Sequence, residues 1–531
     1  MVVMSIFKKH FPLVAVLTAI LISCTSKVEV SGTIEGLPQG MFPDYSDVTV
    51  PCNIAPLDFE IPSDGSALLT ITSPSSNMTV KTGNGTFRIP MRRWKRLLMD
   101  ARGSALEFTV SVRQEGKWLS YTPFRVNVSE DEADPYVVYR LIAPGYGLWN
   151  KMGLYQRNIT SFKQTPVYEN RLTDYNCVNC HSFRMQDPGR MVFHMRAKHG
   201  GTVYVNGDEV EKLNTKTEKT ISNLVYPYWH PEGRYIAFSV NNTLQAFHAA
   251  DPNRIEVFDS ASDVVVMDTQ TKEVFSNPQL MRDDAFETFP TFSPDGRSLY
   301  FCSAPAVELM PEEYRKAHYN LCRVDFDPES GTVGSKIDTL FHAGDTASVS
   351  FPRVSPDGKE LVFTKHGFGN FSIWHRDSDL YSVNLSDGTV RSMSEANSSE
   401  VDSYHSWSSN SRFMVFSSRR IDGLYTRLYM TYIDENGLDH KPFLLPQRSP
   451  KSFYESLMFS YNIPEFVKGK VKVDRFRIGR TMRDSEGNMY IWETGAKNFE
   501  VGMAIKLRMK VKAHKEVKGE KCTVVWYCKE I

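Results

Sequence analysis

The chain has 531 residues, 62 basic and 62 acidic side chains and no net charge. That length suits two or three domains with a large core, and the balanced charge argues against a nucleic-acid or other polyanion partner. Eight cysteines are too few for a disulfide scaffold of this size, and long charge blocks and low-complexity tracts are absent.

The N-terminus reads as an export signal. Lys8, Lys9 and His10 precede an apolar run, Leu13 to Ile22, that is short for a bilayer span. The run ends in Leu21-Ile22-Ser23-Cys24, which resembles the lipobox of bacterial lipoproteins. The resemblance implies removal of residues 1–23 and a diacylglycerol on Cys24, with an uncleaved helical anchor as the alternative. The resemblance implies the outer membrane, because Thr25 rather than Asp follows the cysteine, and its periplasmic face, because Thr25-Ser26-Lys27-Val28-Glu29 is a poor match to the acidic residues of surface-exported lipoproteins.

Residues 24–130 carry strand-like runs at Ala67–Thr72, Leu106–Val112 and Pro123–Val128, interrupted by a basic helical stretch, Met91–Ala101. This predicts a small β-sandwich of immunoglobulin-like type. Tyr136 to Thr160 looks like the outer part of a sheet whose inner strand comes from residues 453–462.

Cys177-Val-Asn-Cys180-His181 then gives the C-x-x-C-H pattern of c-type haem attachment. Two thiols at this spacing each form a thioether to one vinyl group of a single porphyrin, and the following imidazole reaches the iron. The expectation is one covalent haem c on Cys177 and Cys180, with His181 as proximal ligand. A Cys177–Cys180 disulfide and half a zinc site are the alternatives; zinc needs two further ligands that no second motif supplies. Candidate distal ligands are His199, His194, Met195 and Met185, with Met152 in a remote loop and Met191 on the same strand as Met195. If residues 181–186 and 190–196 form a hairpin, His194 and Met195 are cross-strand neighbours of His181, and a porphyrin cannot enter between them. His199 escapes that objection, and His194 also reads as a core histidine bonded to backbone. Arg184, Arg190 and Arg196 could pair with propionates or simply be exposed strand residues.

From residue 225 onward the chain repeats itself. The units start Tyr226-Pro-Tyr-Trp-His-Pro-Glu-Gly233, Phe289-Pro-Thr-Phe-Ser-Pro-Asp-Gly296 and Phe351-Pro-Arg-Val-Ser-Pro-Asp-Gly358, with a weaker copy at Ser406–Phe416. Each reads as strand, turn, strand, closed by a later strand such as Asp263–Asp268 or Arg427–Tyr432. Asp187-Pro-Gly189 looks like a further turn, which sets His194 at the place of Phe238, Phe301, Phe363 and Phe416. The motif Ser-Pro-Asp-Gly-Arg/Lys followed by apolar residues and Phe resembles the blade repeat of TolB-like β-propellers. The resemblance implies an all-β fold over residues 131–467, six-bladed with seven as the alternative, and leaves function open.

Residues 468–531 alternate apolar and charged positions, as in Ala504–Val511 and Thr523–Tyr527, and predict a small β appendage. Cys522 and Cys528 could bridge; Cys302 and Cys322 could pair or be buried; Cys52 has no evident partner. His230, His318, His342, His366, His375 and His405 show no ligand spacing and read as structural or solvent-facing. No Ser-His-Asp pattern, Gly-x-Ser-x-Gly elbow or phosphate loop is present. The expected protein is a tethered periplasmic haem lipoprotein for electron transfer or redox sensing, with a redox or envelope-protein partner. The rival expectations are a haem-free docking module and a glycan-active or peroxidase-like enzyme.

Overall fold

The computed structural model describes residues 29–484 apart from 64, 145–150 and 217–219, together with the backbone of 488–489 and 492–494. Cys24, Cys522, Cys528 and the stretches 504–511 and 523–527 lie outside the described residues.

The N-terminal region is built on a seven-stranded sheet. Its main path runs Val30–Ile34, Lys117–Tyr121, Ser104–Gln114, Ala67–Thr72, Asn77–Thr82, with Phe124–Val128 and Thr49–Val50 branching from the long central strand. Helix α1, Met91–Asp100, buries Trp94, Leu97 and Leu98. Trp94 donates its indole N–H to the Ile54 carbonyl at 2.9 Å and meets Phe108 edge-on at 6.4 Å. The expected two-sheet sandwich is therefore corrected: besides a two-stranded ladder, Phe59–Glu60 with Thr86–Phe87, the apolar cover comes from α1. One hydrophobic core joins this region to the sheet around residues 402–444, through residues such as Tyr45, Phe59, Trp407 and Phe443.

The rest of the fold is an all-β propeller arrangement. Each unit begins with an inner strand: β1 Val178–Phe183, β2 Leu224–Trp229, β3 Ala285–Phe292, β4 Ser348–Val354, β5 Asp402–Trp407 and β6 Ser460–Val467. From β1 to β5, successive antiparallel strands follow outward in chain order. The β2 and β3 sheets are joined by a single parallel bridge, Ser262 to Phe286. β6 instead pairs with Tyr136–Ile142, which leads outward to Met152–Asn158 and Gln164–Glu169, so the two ends of the region share one sheet. Neighbouring inner strands touch in cyclic order, and β6 touches β1.

The closing strand was expected at 453–462 and lies at 460–467. The first four residues of the expected stretch belong instead to helix α2, Pro450–Ser456, which starts on a proline suited to a first helical turn and buries Tyr454. After residue 467 the described part of the chain begins with a helix, and the stretches on which the β appendage was expected lie outside the described residues. Helix α3, Arg475–Asp484, buries Ile478 and Met482 against the β1 and β6 sheets. The short strands 488–489 and 492–494 then add to the outer edges of the β1 and β2 sheets.

Every inner strand breaks register at one place, and the first residue of each break is left-handed. Cys180 (φ 51), Tyr226 (φ 48), Phe289 (φ 53), Phe351 (φ 52), Tyr404 (φ 51) and Ile463 (φ 50) share this bulge. A left-handed residue with a Cβ costs about 1–2 kcal/mol, so the repeated bulge needs compensation. The aromatic members supply it by packing on one another. Phe289 and Phe351 lie 4.1 Å apart between ring centres, Tyr226 and Phe289 4.6 Å, and Phe351 and Tyr404 4.7 Å.

Candidate functional site

The C-x-x-C-H string lies on inner strand β1 and at its start. Cys180 takes the bulge position that holds an aromatic ring on β2 to β5. His181 follows it, in the place of Pro227, Pro290, Pro352 and Pro464. The ring of bulge residues floors a funnel at one end of the propeller. Phe351, Tyr404 and Ile463 line that floor, and His181, His405, Arg353, Glu465 and Met185 stand around it.

His181 is 4% exposed, and neither ring nitrogen makes a well-formed hydrogen bond, although the Val138 backbone lies close enough to act on the ring. Each buried polar group left so costs about 1–3 kcal/mol. Its pKa falls to about 3, first because burial disfavours the cation and then because Arg140 is near; the Val138 backbone offsets this slightly. The imidazole is therefore neutral at working pH, the form that binds metals. Among the described buried histidines it stands apart. His194 meets Thr202 Oγ1 at 3.3 Å, His230 meets the Gly296 carbonyl at 3.1 Å, and His375 meets Glu256 at 2.9 Å.

Cys177 and Cys180 are buried and not in a disulfide. Cys177 packs with Met152, Val178 and Phe193 in the core between the β6 and β1 sheets. Burial raises the Cys180 thiol pKa, with the Tyr226 backbone partly opposing that shift. A thiol held protonated is a poor nucleophile and a poor metal ligand.

The distal candidates separate cleanly. Val178 pairs with Met195 and Asn179 with His194, while His181 falls within the register break. The expected pairing of His181 with His194 and Met195 is corrected accordingly, because β1 starts earlier and carries the bulge. The turn alignment also shifts by one. Ser182 pairs with Val192 as Thr291 pairs with Tyr300, so Phe193, not His194, takes the place of Phe301. Gly189 lacks the left-handed conformation of Gly233, Gly296 and Gly358, which falls here on Met185 and Gln186. Met195 and Met191 lie in the blade core. Met152 Sδ accepts from the Val178 N–H at 3.2 Å. His199 is paired with Asp174 at 2.9 Å. Only Met185 of these candidates lines the funnel with His181. Of the arginines, Arg184 donates to the Pro231 carbonyl at 2.9 Å.

Three funnel residues were not singled out as site residues from the sequence: Arg353, Glu465 and His405. Burial raises the Glu465 pKa to about 8; Arg353 and the Phe183 N–H, 2.9 Å from Oε1, act the other way. The repeat itself carries a signal for His405, because Tyr404-His405-Ser406-Trp407 matches Cys180-His181-Ser182-Phe183 in register.

The opposite end of the propeller is closed differently. The hairpin formed by Tyr235–Phe247 and Ile255–Asp268 is much longer than its counterparts and reaches the loops of the next two sheets. Glu256 meets fully buried His375 at 2.9 Å. Asp259 Oδ2 accepts from Asn241 at 2.9 Å, Asn370 at 2.6 Å and Tyr319 at 3.4 Å. Burial nevertheless raises the Asp259 pKa to about 7.

The donor set of β1 matches a c-type haem: two unbridged thiols and a neutral imidazole without a well-formed hydrogen bond. The space does not match as it stands. The funnel holds about 70 Å³ of free volume, against roughly 300 Å³ or more for a cofactor-sized site. His181 lines the funnel; Cys177 and Cys180 do not. Cys302 and Cys322 cannot bridge, because Cys302 pairs with Leu321 and Phe301 with Cys322, which sets the thiols on opposite faces. Cys52 is also unbridged. Among the described residues no three His, Cys, Asp or Glu side chains group as metal ligands, and no helix is long and apolar enough to cross a membrane.

No protein-family profile and no curated relative matches the chain. Among solved structures it is similar to TolB from Acinetobacter baumannii, at 12% identity and TM-score 0.40, over 71% of this chain and 85% of that one. It is similar to a putative 6-phosphogluconolactonase from Bacteroides uniformis at 12% identity and TM-score 0.32, over 72% and 97%. It is also similar to the hydrazine synthase of Kuenenia stuttgartiensis at 13% identity and TM-score 0.29, over 49% and 64%.

Proposed function

We propose that the chain is a six-bladed propeller lipoprotein, tethered through Cys24 to the periplasmic face of the outer membrane. It carries one haem c on Cys177 and Cys180, ligated by His181. The observation that carries this reading is the state of His181: neutral, 4% exposed and without a well-formed hydrogen bond at either nitrogen. An iron ion would satisfy one of those nitrogens. The count of six rests on the cyclic contacts of β1 to β6, closed by the pairing of β6 with Tyr136–Ile142.

When bound, the haem would supply reversible one-electron exchange, which suits electron transfer or redox sensing with a redox or envelope partner. The chain's own contribution is to hold His181 neutral and to wall the site with Arg353, Glu465 and Met185. Met185 and Gln186 are consecutive left-handed residues on the funnel wall (φ 44 and 59). Strain of this kind collects at functional sites, and this turn is where the wall would yield to a macrocycle.

The second reading is a haem-free propeller that docks an envelope protein. The small free volume of the funnel, about 70 Å³, favours it. Haem staining of the denatured protein, made in a periplasm with c-type maturation, separates the two. Stain that survives denaturation supports the haem reading. A folded, fully matured but unstained protein leaves the docking module. For the tether, Cys24→Ser is expected to release the protein from the membrane fraction.

A further inference from the structure

We infer that the outer face of helix α1 docks on anionic lipid headgroups of the membrane, an inference that rests on the tether through Cys24 proposed above. The helix has two faces. Trp94, Leu97 and Leu98 are buried. Arg92, Lys95, Arg96 and Met99 fall at i, i+3, i+4 and i+7, which sets them on one outward stripe opposite that face, with Arg93 at its border. All five are exposed, and Met99, at 78%, is the most exposed large apolar side chain among the described residues.

The stripe is cationic and unopposed. Among the described residues no carboxylate pairs with Arg92, Arg93, Lys95 or Arg96. The one acidic residue of the helix, Asp100, accepts hydrogen bonds from the hydroxyls of Ser73 and Ser75. Arg92 lies three and four residues from Lys95 and Arg96, like-charge spacings that destabilise a helix unless an anion relieves them. Helix α3 shows the contrast. It is as rich in arginine, yet Arg475 pairs with Glu169 and Arg480 with Asp474, each at 3.6 Å. Its Arg477 and Arg483 donate to the carbonyls of Asp208 and Leu172. The cations of α3 are used within the fold, and those of α1 are not.

Position selects the occupant. Residues 25–29 alone separate Cys24 from the strand Val30–Ile34, a reach of about 20 Å at full extension. Val30 pairs with Trp118, and Trp118 pairs with Arg113. Phe108, which Trp94 of α1 touches, lies on the same strand as Arg113, about 17 Å further along it. A lipid on Cys24 and the stripe of α1 are therefore within reach of one membrane surface. Headgroup phosphates there would meet the guanidinium and ammonium groups, an attraction that polybasic segments beside a membrane anchor use.

The test is sedimentation of the mature chain, residues 25–531, with lipid vesicles, the chain being made without leader or lipid. It is expected to bind phosphatidylglycerol vesicles, to ignore phosphatidylcholine vesicles and to lose binding as salt is raised. Arg92→Gln/Lys95→Gln/Arg96→Gln is expected to weaken binding about 100-fold, at roughly fivefold for each cation near a charged surface. Lys468→Gln/Lys470→Gln/Lys472→Gln removes the same charge from exposed positions elsewhere, and is expected to stay within about twofold of wild type. Equal weakening by the two triple variants would overturn the inference, because net charge alone would then drive binding. A folded chain that ignores phosphatidylglycerol vesicles also overturns it and leaves an acidic protein as the occupant. Membrane fractionation of wild type beside Cys24→Ser keeps the tether separate. Release by Cys24→Ser together with failure in the vesicle assay overturns this inference alone. Vesicle binding by residues 25–531, with no lipid on Cys24 of the wild type, supports the headgroup contact and overturns the tether alone.

Discussion

Strands β1 and β4 share one backbone and differ in what they set on the propeller axis. Both break register at the same place, with a left-handed residue of φ 51 in β1 and φ 52 in β4. On β4 the residues are Phe351 and Pro352, and Phe351 meets Tyr226, Phe289 and Tyr404. On β1 they are Cys180 and His181, and the imidazole has no well-formed hydrogen bond, with only the Val138 backbone favouring its charged form. The bulge is therefore a general device of this ring that costs energy everywhere. Aromatic packing offsets that cost on β4. On β1 the same position holds a smaller buried side chain, Cys180, with buried His181 beside it.

The largest expected break in the comparison is chemical. Cys177→Ala with Cys180→Ala is expected to abolish covalent haem completely while the circular dichroism of the sheet stays as in wild type. Retained covalent haem would remove β1 from its assigned role. Next comes packing. Phe351→Ala is expected to lower stability by about 3–5 kcal/mol, the usual cost of emptying a buried aromatic site. Cys180→Ala at the matching position costs about 1 kcal/mol, an ordinary single-substitution effect. Urea titration of the two haem-free variants tests the contrast, and equal losses would contradict it.

His181→Leu sharpens the comparison from the other side. Removing a buried imidazole without a well-formed hydrogen bond is expected to stabilise the haem-free chain by about 1–3 kcal/mol, while abolishing the native haem spectrum. Destabilisation of the haem-free chain in the same titration would show that His181 has a structural partner. A pH-dependent effect concerns the opposite end of the ring. Asp259 has a pKa of about 7 in the fold against an ordinary 3.8. The folded state therefore binds its proton more tightly than the unfolded chain. This contribution is fully present below pH 3.8, declines as pH rises towards 7, and changes no further above it. Asp259→Asn is expected to make the fall in melting temperature over that range shallower. Parallel profiles for the two proteins would contradict the assignment.

Much of the propeller was legible in the sequence because its signals are local. The aromatic-Pro starts and the Pro-Asp-Gly turns mark β3 and β4 directly, and closure by the two chain ends was anticipated within a few residues. The N-terminal sheet was harder, because strand patterning does not say whether a helix or a second sheet covers it. The main misreading came from the turn at residues 184–190. Anchoring on Gly189 moved the alignment by one residue, gave His194 the place of Phe193, and hid the match between Cys180-His181 and Tyr404-His405. His405 shows no ligand spacing along the chain. That His181 and His405 line one funnel follows from the closing of the ring, which no sequence window contains.

The most direct test of the central claim is the intact mass of the mature protein under denaturing conditions, beside Cys177→Ser/Cys180→Ser. The haem reading predicts a wild-type mass equal to the chain and its lipid plus one haem, with the haem increment lost in the variant. A wild-type mass that accounts for the chain and lipid alone, in a sample that folds and was exposed to the maturation machinery, would contradict it.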